Sequence, residues 1–212
     1  MRKALVALGI LVVVLVGADF GLRALAQHWV AGQLESSLRL QERPSVSLGG
    51  FPFLPRLVTG KFPSVEVQSQ GAVRASEFPM GRIDVTLRDV RFPPDQLLFG
   101  NKATIRAAGG SGTATLTEED INRAFPASIP ISVRLVDGKV EIRASGQEGG
   151  IEAELEVSDN QLVLKPVEIP LPVEMAVDLP ILVQGLTYTG VEVRGSRARL
   201  SFTLSEPEIR VA

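Results

Sequence analysis

Residues 151–164 read IEAELEVSDNQLVL. Ile151, Ala153, Leu155 and Val157 alternate with Glu152, Glu154 and Glu156, so one face of the run is apolar and the other is charged. A period of two is the signature of a strand with one dry and one wet face. Asp159 and Asn160 then supply the residue types that tolerate a tight turn, and Leu162 and Leu164 resume the alternation. The stretch predicts two antiparallel strands joined by a short turn.

The same grammar extends in both directions. Ile83, Val85 and Leu87 oppose Asp84, Thr86 and Arg88. Val133 and Leu135 lead through Asp137-Gly138 into Val140, Ile142 and Ala144, a hairpin pattern. Val191 and Val193 lead through Gly195 and Ser196 to Leu200, Phe202 and Leu204. One run, 82–92, spans about 36 Å if extended. The small residues 107–112 (AAGGSG) permit sharp bends. The expected fold class is α+β: a long, strongly curved antiparallel sheet of about eight to ten strands with two helices against its dry face.

Helical signals are few. His28 to Leu40 carries Val30, Leu34 and Leu38 on one stripe beside Trp29, and Pro44 stops it. Thr117 is placed to cap a helix with Glu118, Glu119 and Asp120 in its first turn, and Pro126 ends it. Pro93-Pro94 opens a possible further turn toward Leu98, and Pro55 to Gly60 another, in which Phe53 would staple against Val58.

The N-terminus sets the compartment. Arg2 and Lys3 precede the uncharged run Ala4–Ala18, Asp19 ends it, and Ala24-Leu25-Ala26 offers a small-x-small cleavage site. This order is that of an export signal. The run spans roughly 22 Å as helix, short of the ~30 Å hydrocarbon core, so a cleaved signal and a retained anchor both fit. Residues 1–26 are read as signal peptide or anchor and 27–212 as one domain. That domain is expected in the periplasm or on the outer face of the cytoplasmic membrane.

Composition excludes several function classes. The chain has 212 residues, a net charge of −2 and no cysteine. Without a basic footprint, no nucleic-acid partner is expected. Without cysteine there is no disulfide, thiolate metal site or thiol nucleophile. The single histidine, His28, lies beside the cleavage point, and neither Gly-x-Ser-x-Gly nor metal-ligand spacing occurs. No enzyme activity, metal or cofactor is expected.

The apolar strand faces exceed what two short helices can cover. Two outcomes remain: a self-packed β core, serving a structural or protein-interaction module of the envelope, or a groove filled by lipid. Each buried methylene contributes about 0.8 kcal/mol, so a long aliphatic trough can hold an acyl chain.

Gly50-Phe51-Pro52-Phe53-Leu54, then Thr59-Gly60-Lys61-Phe62 leading into Val65-Glu66-Val67, resemble the signature of the LmeA-like family of bacterial envelope proteins. Leu116–Asn122 (LTEEDIN) resembles the family's later pattern. The resemblance covers about residues 27–210. It implies a fold similar to tubular lipid-binding proteins, a half-barrel sheet wrapped around one or two helices with an apolar groove. It also implies phospholipid as ligand, a membrane surface as partner, and a role in assembling lipid-linked envelope glycans. It implies no fixed ligand motif, and protein partners stay open.

Candidate lipid contacts follow. Phe51, Phe53, Leu57 and Phe62 would rim or plug one end of the groove. Phe78, Met80, Leu98 and Phe99 would form its mouth or a membrane-touching tip, or else fill the core. Val85, Leu87 and Leu155 would line the trough, with Phe125 and Met175 completing it. Met175 belongs to the proline-broken segment 166–183, read as an edge folding over the groove or as a crossover. Arg56, Lys61 and Arg82 are candidates to meet an anionic headgroup.

Overall fold

A computed structural model describes residues 2–37, 42–70, 80–93, 103–125, 131–136, 138–144, 149–167 and 175–211. Phe78, Leu98 and Phe99, and the turn expected after Pro93, lie outside them. Three helices and thirteen strands are formed among the described residues: α1 (Arg2–Ser37), α2 (Phe53–Thr59) and α3 (Glu118–Ala124), with β1 (Ser45–Leu48), β2 (Lys61–Ser69), β3 (Ile83–Arg91), β4 (Ala103–Arg106), β5 (Gly109–Thr117), β6 (Ile131–Val136), β7 (Lys139–Ala144), β8 (Ile151–Ser158), β9 (Gln161–Pro166), β10 (Met175–Asp178), β11 (Leu186–Arg194), β12 (Arg197–Ser205) and β13 (Glu208–Val211).

The strands form two antiparallel sheets. The larger has the order β1-β2-β3-β5-β12-β11, with β4 joined to β3 and β13 to β4. It curls strongly into a half-barrel, as the resemblance to tubular lipid-binding proteins implies. The smaller has the order β10-β9-β8-β7-β6. The opening stretch is the hairpin β8–β9, with Ser158 opposite Gln161 and positive φ at Asp159 (50°) and Asn160 (60°). Two consecutive left-handed residues match the twist of the flanking strands. At the other predicted hairpin, Val136 pairs with Lys139 across Gly138, at φ 82°.

Glycines in β5 let the curl tighten. A Cβ on Gly112 would strike the Phe202 ring and the Asp84 carbonyl, and one on Gly110 would lie 2.8 Å from the Thr86 carbonyl. Strands this close tolerate no side chain at those points.

The α3 helix begins as predicted. The Asp120 N–H donates to Thr117 Oγ1 (3.2 Å) and the Thr117 N–H donates to Asp120 Oδ2 (2.9 Å), a reciprocal cap. The helix then closes the free edge of β6. Asn122 Nδ2 donates to the Val133 carbonyl and its Oδ1 accepts from the Val133 N–H, while Glu118 Oε1 accepts from the Leu135 N–H. An edge strand whose backbone groups are satisfied this way is protected from pairing with another chain.

Three expectations are corrected. The signal-like run and the His28 stripe are not separate elements but one helix of 36 residues. No proline interrupts residues 2–37, and Gly17 and Gly21 cost only about 1 kcal/mol each. The α2 helix starts at Phe53 rather than Pro55, because Asp19 supplies the cap described below. Val58 is exposed and makes no staple with Phe53, which is fully buried.

The dry face of the large sheet is met by the smaller sheet as well as by helices. Leu116, Ala198 and Leu200 on one, and Val133, Leu162 and Leu164 on the other, are at most 1% exposed and belong to one core. Asn160 Oδ1, at the β8–β9 turn, accepts from the Tyr188 N–H of β11, tying the sheets together.

Candidate functional site

A space remains at one edge of this core. A cavity of about 320 Å³ lies between α1, α2 and the β1–β2 edge, open on one side. From α1 it is lined by Leu22, Leu25, Ala26, Trp29, Val30, Gln33 and Leu34. Leu48, Phe53, Leu57, Phe62, Phe92 and Ile105 form the opposite wall. Gln33 is the sole polar side chain among these thirteen residues. A site of this volume and lining suits an apolar ligand.

The floor is aromatic. Phe53 and Phe62 meet at a tilt with ring centroids 5.6 Å apart, as do Phe62 and Phe92 with centroids 4.8 Å apart. Each such pair contributes about 0.5–1.5 kcal/mol beyond burial. The aliphatic residues of α1 and the half-exposed Trp29 form the opposing wall and rim.

Asp19 fixes the wall to the floor. It is buried, at 5% exposure, and its carboxylate accepts from the N–H groups of Phe53 (2.9 Å) and Leu54 (2.7 Å). These are the free donors of the first turn of α2, and a carboxylate there is favoured by hydrogen bonding and by the helix dipole. Gly60, at φ 65°, terminates α2 by donating its N–H to the Arg56 carbonyl. Two adjoining residues thus have distinct tasks: Asp19 anchors α1, and Phe20 stacks on Phe51 with centroids 6.3 Å apart.

Around the cavity's foot, apolar side chains face outward. Ile10 to Val16 are exposed on all sides of α1. Phe20, Leu25, Phe51 and Val58 continue the exposed surface toward α2. Residues Ile10–Ser36 are apolar enough and long enough to cross a membrane.

Of the sequence candidates, Phe53, Leu57 and Phe62 line the cavity. Phe51 stands outside it, 61% exposed against Phe20. Met80, Leu87, Phe125 and Leu155 are buried in the packed core, and Val85 and Met175 pack against it. None of these six lines the cavity. Arg82 pairs with Asp84 at 2.9 Å, whereas Arg56 and Lys61 share a second cleft. The residues that sequence reasoning missed are chiefly those of α1. Leu22, Leu25 and Ala26 belong to the assigned leader, and their heptad-like continuity with Trp29 and Val30 was the available signal.

A family model described as LmeA-like phospholipid-binding matches residues 17–208. Comparison with curated proteins gives no match, and comparison with solved structures gives none.

Proposed function

The chain belongs to the LmeA-like phospholipid-binding family, and from that premise we propose that it holds phospholipid acyl chain in the cavity between α1 and the β1–β2 edge, on the outer side of a cytoplasmic membrane. The observation that carries this reading is the cavity wall itself: twelve apolar residues and one glutamine around an open space. Phe53, Leu57 and Phe62 are the contacts we assign from the floor, with Leu25, Trp29 and Val30 from the wall. Binding draws on burial of methylenes, each contributing about 0.8 kcal/mol.

In this reading α1 is kept rather than cleaved. Cutting after Ala26 would remove Asp19, the cap of α2, together with Leu22 and Leu25 from the wall. Arg2 and Lys3 favour a cytoplasmic N-terminus, which puts the sheets outside. The exposed Phe20, Leu25, Phe51 and Val58 then rest in the bilayer boundary, and Trp29 lies about 15 Å further along the helix. A lipid enters from the leaflet without crossing water. A carrier feeding the assembly of envelope glycolipids needs this access, and it is the role we assign. Binding requires no bond-making step, so the reading is non-enzymatic.

Native mass spectrometry of the full chain tests both parts. The chain released from mild detergent, delipidated and re-exposed to phospholipid, is expected to retain residues 1–26 and to gain one lipid mass. No lipid adduct where a known carrier loads would overturn the binding reading. A mature mass beginning at Gln27 would overturn retention alone.

A further inference from the structure

The second cleft carries charge where the first carries none. Lys61 on β2 stands directly opposite Arg91 on β3, and Arg91 stands opposite Arg106 on β4. Like charges in register across antiparallel strands repel and destabilise the pair. Arg106 has Glu208 at 3.7 Å. Among the described residues, Lys61 and Arg91 make no ion pair.

These two cations share a cleft of about 170 Å³ with Arg56, Phe62, Pro63, Asp89 and Val90. Three cations therefore face one carboxylate. Arg56 adds an independent sign: its Nε is buried and has no hydrogen-bond partner. A buried donor left unsatisfied is costly and uncommon. Its position is enforced by Gly50, at φ 99°, where any Cβ would collide with the guanidinium. The chain thus reserves space for an arginine whose Nε it leaves without an acceptor.

We propose that this cleft is a phosphate-binding subsite that takes the headgroup phosphate of an anionic phospholipid. The Arg56 guanidinium adds a third cationic group to the cleft, in the fork geometry that suits phosphate oxygens. Lys61 and Arg91 contribute charge, and the anion removes their mutual repulsion. Phe62 is common to the lining of this cleft and of the acyl cavity. A choline headgroup places a cation against Lys61 and Arg91 and is disfavoured. The proposal rests on the acyl-binding reading for its lipid, though not for its phosphate chemistry.

The full chain in mild detergent is offered equal amounts of phosphatidylglycerol and phosphatidylcholine with identical tails, and the loaded ratio is read by native mass spectrometry. Wild type is expected to favour phosphatidylglycerol roughly threefold to tenfold, the weight of a charge-assisted contact reduced by solvent. The double substitution Lys61→Gln with Arg91→Gln brings the ratio toward unity, and Arg82→Gln, outside the cleft, leaves it as in wild type. A separate melting experiment with inorganic phosphate keeps the test open if the double variant folds poorly. Phosphate that raises the wild-type melting temperature and displaces phosphatidylglycerol identifies the phosphate group itself as the ligand. A lipid preference without a free-phosphate effect restricts the subsite to lipid-borne phosphate. A ratio of one together with no phosphate effect overturns the subsite while leaving acyl binding standing. Phosphate binding in a chain that loads no lipid overturns the acyl reading while leaving the subsite.

Discussion

The carboxylate of Asp19 holds the first two amide groups of α2, accepting from Phe53 at 2.9 Å and from Leu54 at 2.7 Å across a sequence separation of 34 and 35 residues. A residue that ends an apolar leader-like run is therefore a helix cap of the folded domain. Asp19→Ala is expected to cost about 1–2 kcal/mol, the range for losing a side-chain cap. Asp19→Asn, with one acceptor oxygen in place of two, should fall between. Amide exchange at Phe53 and Leu54 reads this directly: protection should decline from wild type to Asn to Ala. Equal protection in all three would show that the cap does not hold α2.

Ala26 is the smallest side chain on the cavity wall. Ala26→Phe should occupy part of the space from the α1 wall. A phenyl ring displaces several methylenes of ligand, a loss of roughly 3 kcal/mol or on the order of a hundredfold in affinity. Lipid titration followed by mass, beside a circular dichroism spectrum to confirm the fold, decides it. Undiminished loading would place the tail elsewhere.

Trp29 is the single tryptophan of the chain, half-exposed on the cavity rim. Its emission should shift to the blue as lipid covers the indole. Lipid brominated along the acyl chain should quench it, whereas bromide in solution should quench it less once lipid is bound. An unchanged spectrum on loading would contradict the proposed wall.

Tyr188, the chain's only tyrosine, is 5% exposed and donates its hydroxyl to the Pro180 carbonyl at 2.9 Å. Burial pushes its pKa up from the ordinary 10.0 to about 12. Because the folded value lies above the unfolded one, its contribution is fully present below pH 10 and is lost as pH rises toward about 12. Tyrosinate absorbance should thus appear late in the native chain and early in denaturant. Tyr188→Phe should remove this alkaline loss of stability.

Thr117→Ala removes the reciprocal cap of α3. A loss of about 1 kcal/mol is expected. Lipid loading should not change, since α3 lies against β5 and β6, away from the cavity. Denaturant unfolding and lipid titration on the same sample separate the two effects.

Much of the fold was legible in short patterns. The β8–β9 and β6–β7 turns fall where Asp159-Asn160 and Gly138 stand, and α3 starts at Thr117 with its acidic first turn. Gly60 ends α2 as its sequence suggests. Each depends on contacts between residues only a few positions apart, and a local rule can capture such contacts. The cavity was only half legible. Phe53, Leu57 and Phe62 stood out because an aromatic, proline-broken segment is unusual. Their partners Leu22, Leu25 and Ala26 read as leader, since hydrophobicity alone does not distinguish a membrane run from a wall of a binding site.

The order of residues by itself determined the alternating strands, the Thr117 cap of α3 and the absence of cysteine chemistry, because alternation and that cap act within one hairpin or one turn. Which apolar faces meet each other was decided only by the tertiary structure. Leu87 and Leu155 are read from alternation and Phe62 from a proline-broken aromatic segment, yet all three are buried in one core, and of the three Phe62 alone also lines the cavity. Burial is a property of what arrives from elsewhere in the chain: the second sheet covers part of the dry face, and α1, fixed by Asp19 to α2, reaches the rest without filling it.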